Sequence, residues 1–367
     1  MDIEKHSHQV NNSITEYHIN NTHVSVMNSI RRTILSDIEI YGFKGFPHEE
    51  NNIKILTNNT RLNNEIIKHR VSCIPIHIKN TTLPMKDYIV YLNVKNDSDE
   101  NIYVTSKDFK IKHTETNKEL SEEETRKIFP PCPITGDYIL IARLRGKLSD
   151  EIPSEHLHLE CSMSLVTAKQ DSVYNVASTC SYSFQVDSTK QEEEWKQEEV
   201  KLQGQEMDEK EIEQHKENWY LGEGRRIIKK DAFIFVLESI GIYTNDELMR
   251  KACDLLIQSL NTIKEGFQKN DIKITPSNTI YKAYDILLKN IDYTIGKPIE
   301  YALFDLYYYK NDIMKYITFN RMHPHDDHSI LRVGFADSSI SIEHVPSYIQ
   351  KACDHLITIY NEMKETI

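Results

Sequence analysis

KACDLLI, Lys251 to Ile257, and KACDHLI, Lys351 to Ile357, share six of seven residues at an offset of one hundred. Both stretches fit an amphipathic helix. In the first, Thr244 and Glu247 form a capping box ahead of Leu248, Ala252, Leu256, Leu260 and Ile263, which recur at helical spacing. In the second, Pro346 stands near the helix start and Tyr348, Ala352, Leu356, Tyr360 and Met363 follow on one face. Helices reuse Lys, Ala, Leu and Ile, so a seven-residue match alone could be coincidence. It extends upstream, however: FIFVLES from Phe233 precedes the first helix as SILRVGF, Ser329 to Phe335, precedes the second. Further back each half offers another strand and helix, Ile14 to Ile38 in the first and Tyr284 to Lys310 in the second. The repeat implies an α+β fold of two like units in tandem, their apolar helix faces buried against each other about a pseudo-twofold axis.

The two halves differ by a large insertion in the first. Residues 1–78 and 225–266 form one expected unit, interrupted by a mostly β domain at 79–190. There DYIVYLNV, DYILIARLRG, HLHLECSMSLV and CSYSFQV alternate or run apolar like strands. Residues 191–224 read as an acidic helix or tether, with a surplus of Glu and Asp that a solvated face explains. Residues 267–280 read as a linker, and 281–367 as the second unit. In the first unit Thr22 is placed to cap a helix whose apolar positions are Met27, Ile30, Ile34 and Ile38. A short helix from about Asn63 to Ser72 then runs into the extended Ile74–Pro75–Ile76.

Composition narrows the functional classes. The chain has 367 residues, enough for two or three domains, and a net charge of −12, which disfavours unaided binding of nucleic acid. No charged-then-apolar leader and no apolar run of ~20 residues is present, so an intracellular soluble protein without a membrane span is expected. The six cysteines stand singly, without a CxxC pair, and read as reduced thiols rather than metal ligands.

NSIRRTILSDI, Asn28 to Ile38, resembles the NALRR-type helix of the RNA polymerase alpha subunit family, including its archaeal and eukaryotic equivalents. LNNEIIKHRVSCIPI, Leu62 to Ile76, resembles that family's next segment, in the same order and at a like separation. IDYTIGKPIEYAL, Ile291 to Leu303, and FNRMHPHDDHSILRV, Phe319 to Val333, are similar to the small partner subunit. The resemblance implies an assembly platform in which both halves of an obligate heterodimer, the third and eleventh subunits of a eukaryotic-type polymerase, are fused in one chain. Such fusions suggest a large cytoplasmic DNA virus, hence host cytoplasm and virion. Lys297 and Pro298 replace the family's Asn-Leu, and Pro298 is expected in the first turn of its helix. No equivalent of the cysteine cluster found in some relatives is present.

The resemblance implies an internal dimer interface of Met27, Ile30, Ile34, Leu248, Ala252, Leu256, Leu260, Ile295, Ile299, Ala352, Leu356 and Tyr360. It implies partner contacts at Asn28, Arg31, Arg32, Glu65, His69 and Arg70, with Asn320 a weaker candidate. His69 and Arg70 fit a structural role equally well. The expected partners are the second-largest and largest polymerase subunits and small accessory subunits, with no direct sequence-specific nucleic acid contact. Two other readings stand beside this one. A free-standing scaffold or regulator could reuse the same heterodimer. HPHDDH, His323 to His328, fits an H-x-H-x-D-H metal motif of hydrolases, but few residues follow it to complete a site, and only His344 and His355 remain. No phosphate-cradling Gly loop, nucleophile elbow or paired-aspartate polymerase motif occurs, so the chain itself reads as non-catalytic and cofactor-free.

Overall fold

The computed structural model describes residues 2–7, 13–147, 149, 151–205, 207–337 and 340–367. The chain begins with β1 (Asp2–Ser7), β2 (Ile14–Asn20), α1 (Val24–Ser36), β3 (Ile40–Gly42), β4 (Ile53–Asn58) and α2 (Asn64–Ser72). It continues through β5 (Tyr88–Lys95), β6 (Ile102–Thr105), β7 (Lys110–His113), α3 (Glu122–Ile128), β8 (Leu140–Leu144), β9 (His156–Ser162) and β10 (Ser164–Val166). Next come β11 (Ala177–Val186), α4 (Ser188–Gln203), α5 (Glu209–Leu221), β12 (Ile228–Ser239) and α6 (Asn245–Gln268). The last elements are β13 (Lys273–Pro276), β14 (Ala283–Lys289), α7 (Tyr293–Leu303), β15 (Met314–Asn320), β16 (His328–Phe335) and α8 (Val345–Thr366). The result is a mixed α+β fold with several antiparallel sheets.

Two compact units emerge. The first comprises Met1–Ile34, Thr179–Glu238 and Asn245–Ile367. It holds two four-stranded sheets, ordered β1-β2-β12-β11 and β13-β14-β16-β15. Alternation in β2 sends Thr15, Tyr17 and Ile19 inward. The Tyr17 hydroxyl donates to Asp246 in the first turn of α6, at 2.7 Å, and Lys5 on β1 pairs with the same carboxylate. The helical stripe read from sequence is buried on α6 at Leu248, Ala252, Leu256, Leu260 and Ile263, with Met249 and Cys253 beside it. On α8 it is buried at Ala352, Leu356, Tyr360 and Met363, with Ile349 and Cys353 beside it, whereas Tyr348 is only half-buried. These two helices pack on each other. At the rim of that contact Lys264 pairs with Asp354 and Lys364 with Asp254. Low numbers of one helix thus meet high numbers of the other, so the helices run antiparallel. The aspartates are those of the two KACD stretches.

The second unit comprises Leu35–Ser178 and Ser239–Thr244. Its sheet runs β4-β9-β5-β7, with the pairs β6-β8 and β3-β10 beside it. Ile67 and Val71 on α2 join a core that includes the rings of Phe43, Phe109 and Phe129. Tyr243 donates to the carbonyls of Glu39 and Lys79, fastening the short returning segment to this unit.

Four local expectations need correction. Thr22 does not cap α1: its hydroxyl is buried without a hydrogen-bond partner, and the Ser25 amide donates instead to His23 Nδ1 at 3.2 Å. Pro298 is not in the first turn but inside α7, where it lacks the N–H that would meet the Thr294 carbonyl. The segment read as a linker contains β13, which pairs with β14. CSYSFQV, read as part of the inserted domain, lies in β11 and joins the sheet of β2 and β12. The acidic stretch forms α4 and α5, its Glu206 lying outside the described residues.

Candidate partner-binding site

The residues proposed to pair the two halves lie on α1, α6, α7 and α8, all in the first unit. Met27, Ile30, Ile34, Leu248, Ala252, Leu256, Leu260, Ile299, Ala352, Leu356 and Tyr360 are buried, and Ile295 is half-buried. Sequence reasoning missed the polar contacts among them. Ser29 on α1 donates to the Val26 carbonyl and so accepts from the Tyr360 hydroxyl of α8, at 2.8 Å and out of water. His23 stacks flat on Tyr301 of α7, ring centroids 3.9 Å apart. No periodicity signals either contact, because each depends on which helix lies opposite.

Arg32, expected to face a partner, is engaged within the chain. Its Nε donates to Thr294 Oγ1 at 2.7 Å and its Nη2 to Asp292 at 3.1 Å, joining α1 to the start of α7. Asp292 also accepts from the Thr294 amide as the N-cap of α7. Burial alone raises the Asp292 carboxyl, but the Thr294 donors and the Arg32 guanidinium outweigh it and hold the group below the usual carboxylate range.

Arg31 is half-buried; its Nε donates to the Asn28 amide oxygen at 3.0 Å, and among the described residues it forms no ion pair. Asn28 therefore orients Arg31. Glu65, His69 and Arg70 lie on α2 of the second unit, all exposed. There Asn63 caps α2 through the Ile66 amide, and Arg70 donates to the Ile141 carbonyl of β8 at 3.0 Å. That bond gives Arg70 a structural duty. Asn320 accepts from the Tyr293 hydroxyl at 3.0 Å.

The HPHDDH stretch is a mostly exposed turn after β15 whose last residue, His328, begins β16. His323 accepts from the His325 amide, and His328 bonds the neighbouring Asp327. Among the described residues no group of three or more His, Cys, Asp or Glu is gathered so as to hold a metal ion. Cys161, Cys253 and Cys353 are buried thiols, and burial pushes Cys253 and Cys353 up to about 12. No helix among the described residues is long and apolar enough to cross a membrane.

The model of the RNA polymerase Rpb3/Rpb11 dimerisation domain matches residues 16–260, about two thirds of the chain. The chain belongs to this family. Among characterised proteins, a conjugation stage-specific protein of Tetrahymena thermophila is 23% identical over 311 residues, covering 70% of this chain and 92% of that one. Membership of a polymerase dimerisation-domain family fits the burial of Met27, Ile30 and Ile34 on α1 and of Leu248, Ala252, Leu256 and Leu260 on α6. It also makes an assembly role, rather than chemistry at the HPHDDH turn, the function to be explained.

Proposed function

We propose that this chain is a non-catalytic assembly platform of a multisubunit DNA-directed RNA polymerase. Its larger-subunit-like half, which in the first unit comprises β1, β2, α1, β11, β12 and α6, pairs with its small-subunit-like half, residues 281–367, about a pseudo-twofold axis inside one molecule. The second unit docks accessory subunits. The observation that carries the reading is the antiparallel packing of α6 on α8, with Lys264–Asp354 mirrored by Lys364–Asp254, in a chain of the dimerisation-domain family. An isologous contact produces this reciprocity, residue i meeting j and j meeting i. Fusion holds the halves at an effective concentration of order millimolar, so assembly needs one encounter fewer.

The second-largest catalytic subunit is captured through Arg31, which Asn28 orients; the exposed Glu65 and His69 of α2 are candidate contacts of the second unit in their own right. An oriented guanidinium suits bidentate pairing with a carboxylate at such an interface. In a large cytoplasmic DNA virus the platform would act in the host cytoplasm and be packaged in the virion. Arg31→Glu is the test. The variant should keep its circular dichroism and melting curve while capture of the second-largest subunit in a pull-down weakens about tenfold, the scale of a close interfacial charge contact. Undiminished capture contradicts the contact. A pull-down with no catalytic subunit at all supports the free-standing scaffold instead.

A further inference from the structure

Two helices of the first unit start in the same way. β2 and β14 are each followed by an asparagine in left-handed backbone, Asn21 at φ 58° and Asn290 at φ 57°. Two residues later a side chain accepts from the amide two positions on: His23 Nδ1 from Ser25, and Asp292 Oδ1 from Thr294. Seven residues past each cap lies a buried isoleucine, Ile30 or Ile299, and nine past it Arg32 or Tyr301. Matched this way, the stack of His23 on Tyr301 and the bond of Arg32 to Asp292 occupy equivalent places. In both, the cap of one helix meets the ninth residue of the other. The chemistry differs: a ring stack on one side, an ion pair on the other.

That difference has a consequence for partner choice. If like met like, as between two copies of the chain, His23 would face Arg32 and Asp292 would face Tyr301. Stack and ion pair would both be lost, and an imidazole would sit against a guanidinium. The α6–α8 rim cannot discriminate, because Lys264 opposite Asp254 and Lys364 opposite Asp354 would satisfy the same charges. Like-with-like pairing would also forfeit the Ser29–Tyr360 bond, Leu260 standing where Tyr360 does, but only the α1–α7 contact would set a cation against an imidazole.

We propose that His23, Arg32, Asp292 and Tyr301 are the specificity determinants by which the first half accepts the second half of its own chain and rejects a further copy of itself. The proposal rests on the internal pairing put forward above. A half-exposed ion pair contributes little to stability alone. Specificity, however, is the difference between right and wrong partners, and the wrong pairing both forfeits the contact and creates a mismatch.

The test uses the full-length chain. Tyr301→Arg sets a guanidinium against His23, and His23→Asp added to it rebuilds an acid–arginine pair while keeping a good cap. Hydrogen exchange of α1 and α7 amides is followed by mass spectrometry, and the mass after refolding from denaturant by light scattering at rising concentration. Tyr301→Arg should speed exchange in both helices about tenfold, and the double variant should return to the wild-type rate. Because both halves of the double variant then present the same acid and arginine, it should also refold partly as dimers. Wild type should return as monomer. Failure of His23→Asp to rescue, or like-with-like dimers from wild type, overturns the proposal. Exchange of α6 and α8 in wild type at the rate of unfolded chain would instead overturn the pairing beneath it. None of these results depends on whether polymerase subunits are captured.

Discussion

Ser29 and Tyr360 form a buried hydrogen bond whose two ends are not equivalent. Ser29→Ala leaves the phenol, 1% exposed, without a partner. That loss should cost about 1–3 kcal/mol in urea unfolding of the full chain. Tyr360→Phe leaves Ser29 still bonded to the Val26 carbonyl and should cost less. The opposite order would contradict the geometry. Asp292 gives a second test, through pH. Its carboxyl is depressed in the folded chain, so it stabilises fully above the unfolded carboxylate value of about 3.9, and that stability is lost as pH falls through the folded value. Melting temperature should therefore drop below about pH 4, and Asp292→Asn should flatten that drop while lowering the neutral-pH plateau. An unchanged acid limb in the variant would show that the Arg32 and Thr294 contacts do not form. Neither residue was visible as a contact beforehand. Arg32 reads as a surface charge until the start of α7 is placed beside it, and histidine is an uncommon cap, so Thr22 looked the better candidate.

Helices α6 and α8 were legible because a period of 3.6 needs only local sequence, and each stripe recurs a hundred residues on. Leu256 and Leu356 sit at matching places in that stripe, at 1% and 0% exposure. Leu256→Ala and Leu356→Ala should each destabilise the chain by about 2–5 kcal/mol in denaturant titration. A loss below about 1 kcal/mol for either would mean that its helix face is not core. Strand partners were less legible. CSYSFQV alternates whichever sheet receives it, and only the pairing with β12 places it in the first unit. KITP, Lys273 to Pro276, is too short to distinguish from a linker until β14 supplies its ladder. Pro298 falls outside the first turn because the helix starts earlier than the resemblance implies: Asp292 caps it six residues before the proline.

The division of the chain follows from where its ends return. β12 and α6 come back to the sheet begun by β2, so the intervening segment from Leu35 to Ser178 closes its own core as a separate unit. The recurrence of one heptapeptide a hundred residues on is plain in the sequence, and the proposed duplication starts from it. What duplication implies for assembly depended on family membership and on α6 meeting α8 in the same chain. A chain that carries both halves of a dimer should enter its complex alone. Native mass spectrometry of the assembly purified through a tag on this chain tests that directly. The account expects one copy of the chain together with the two largest catalytic subunits. Two copies per assembly, or an assembly lacking catalytic subunits, would contradict it.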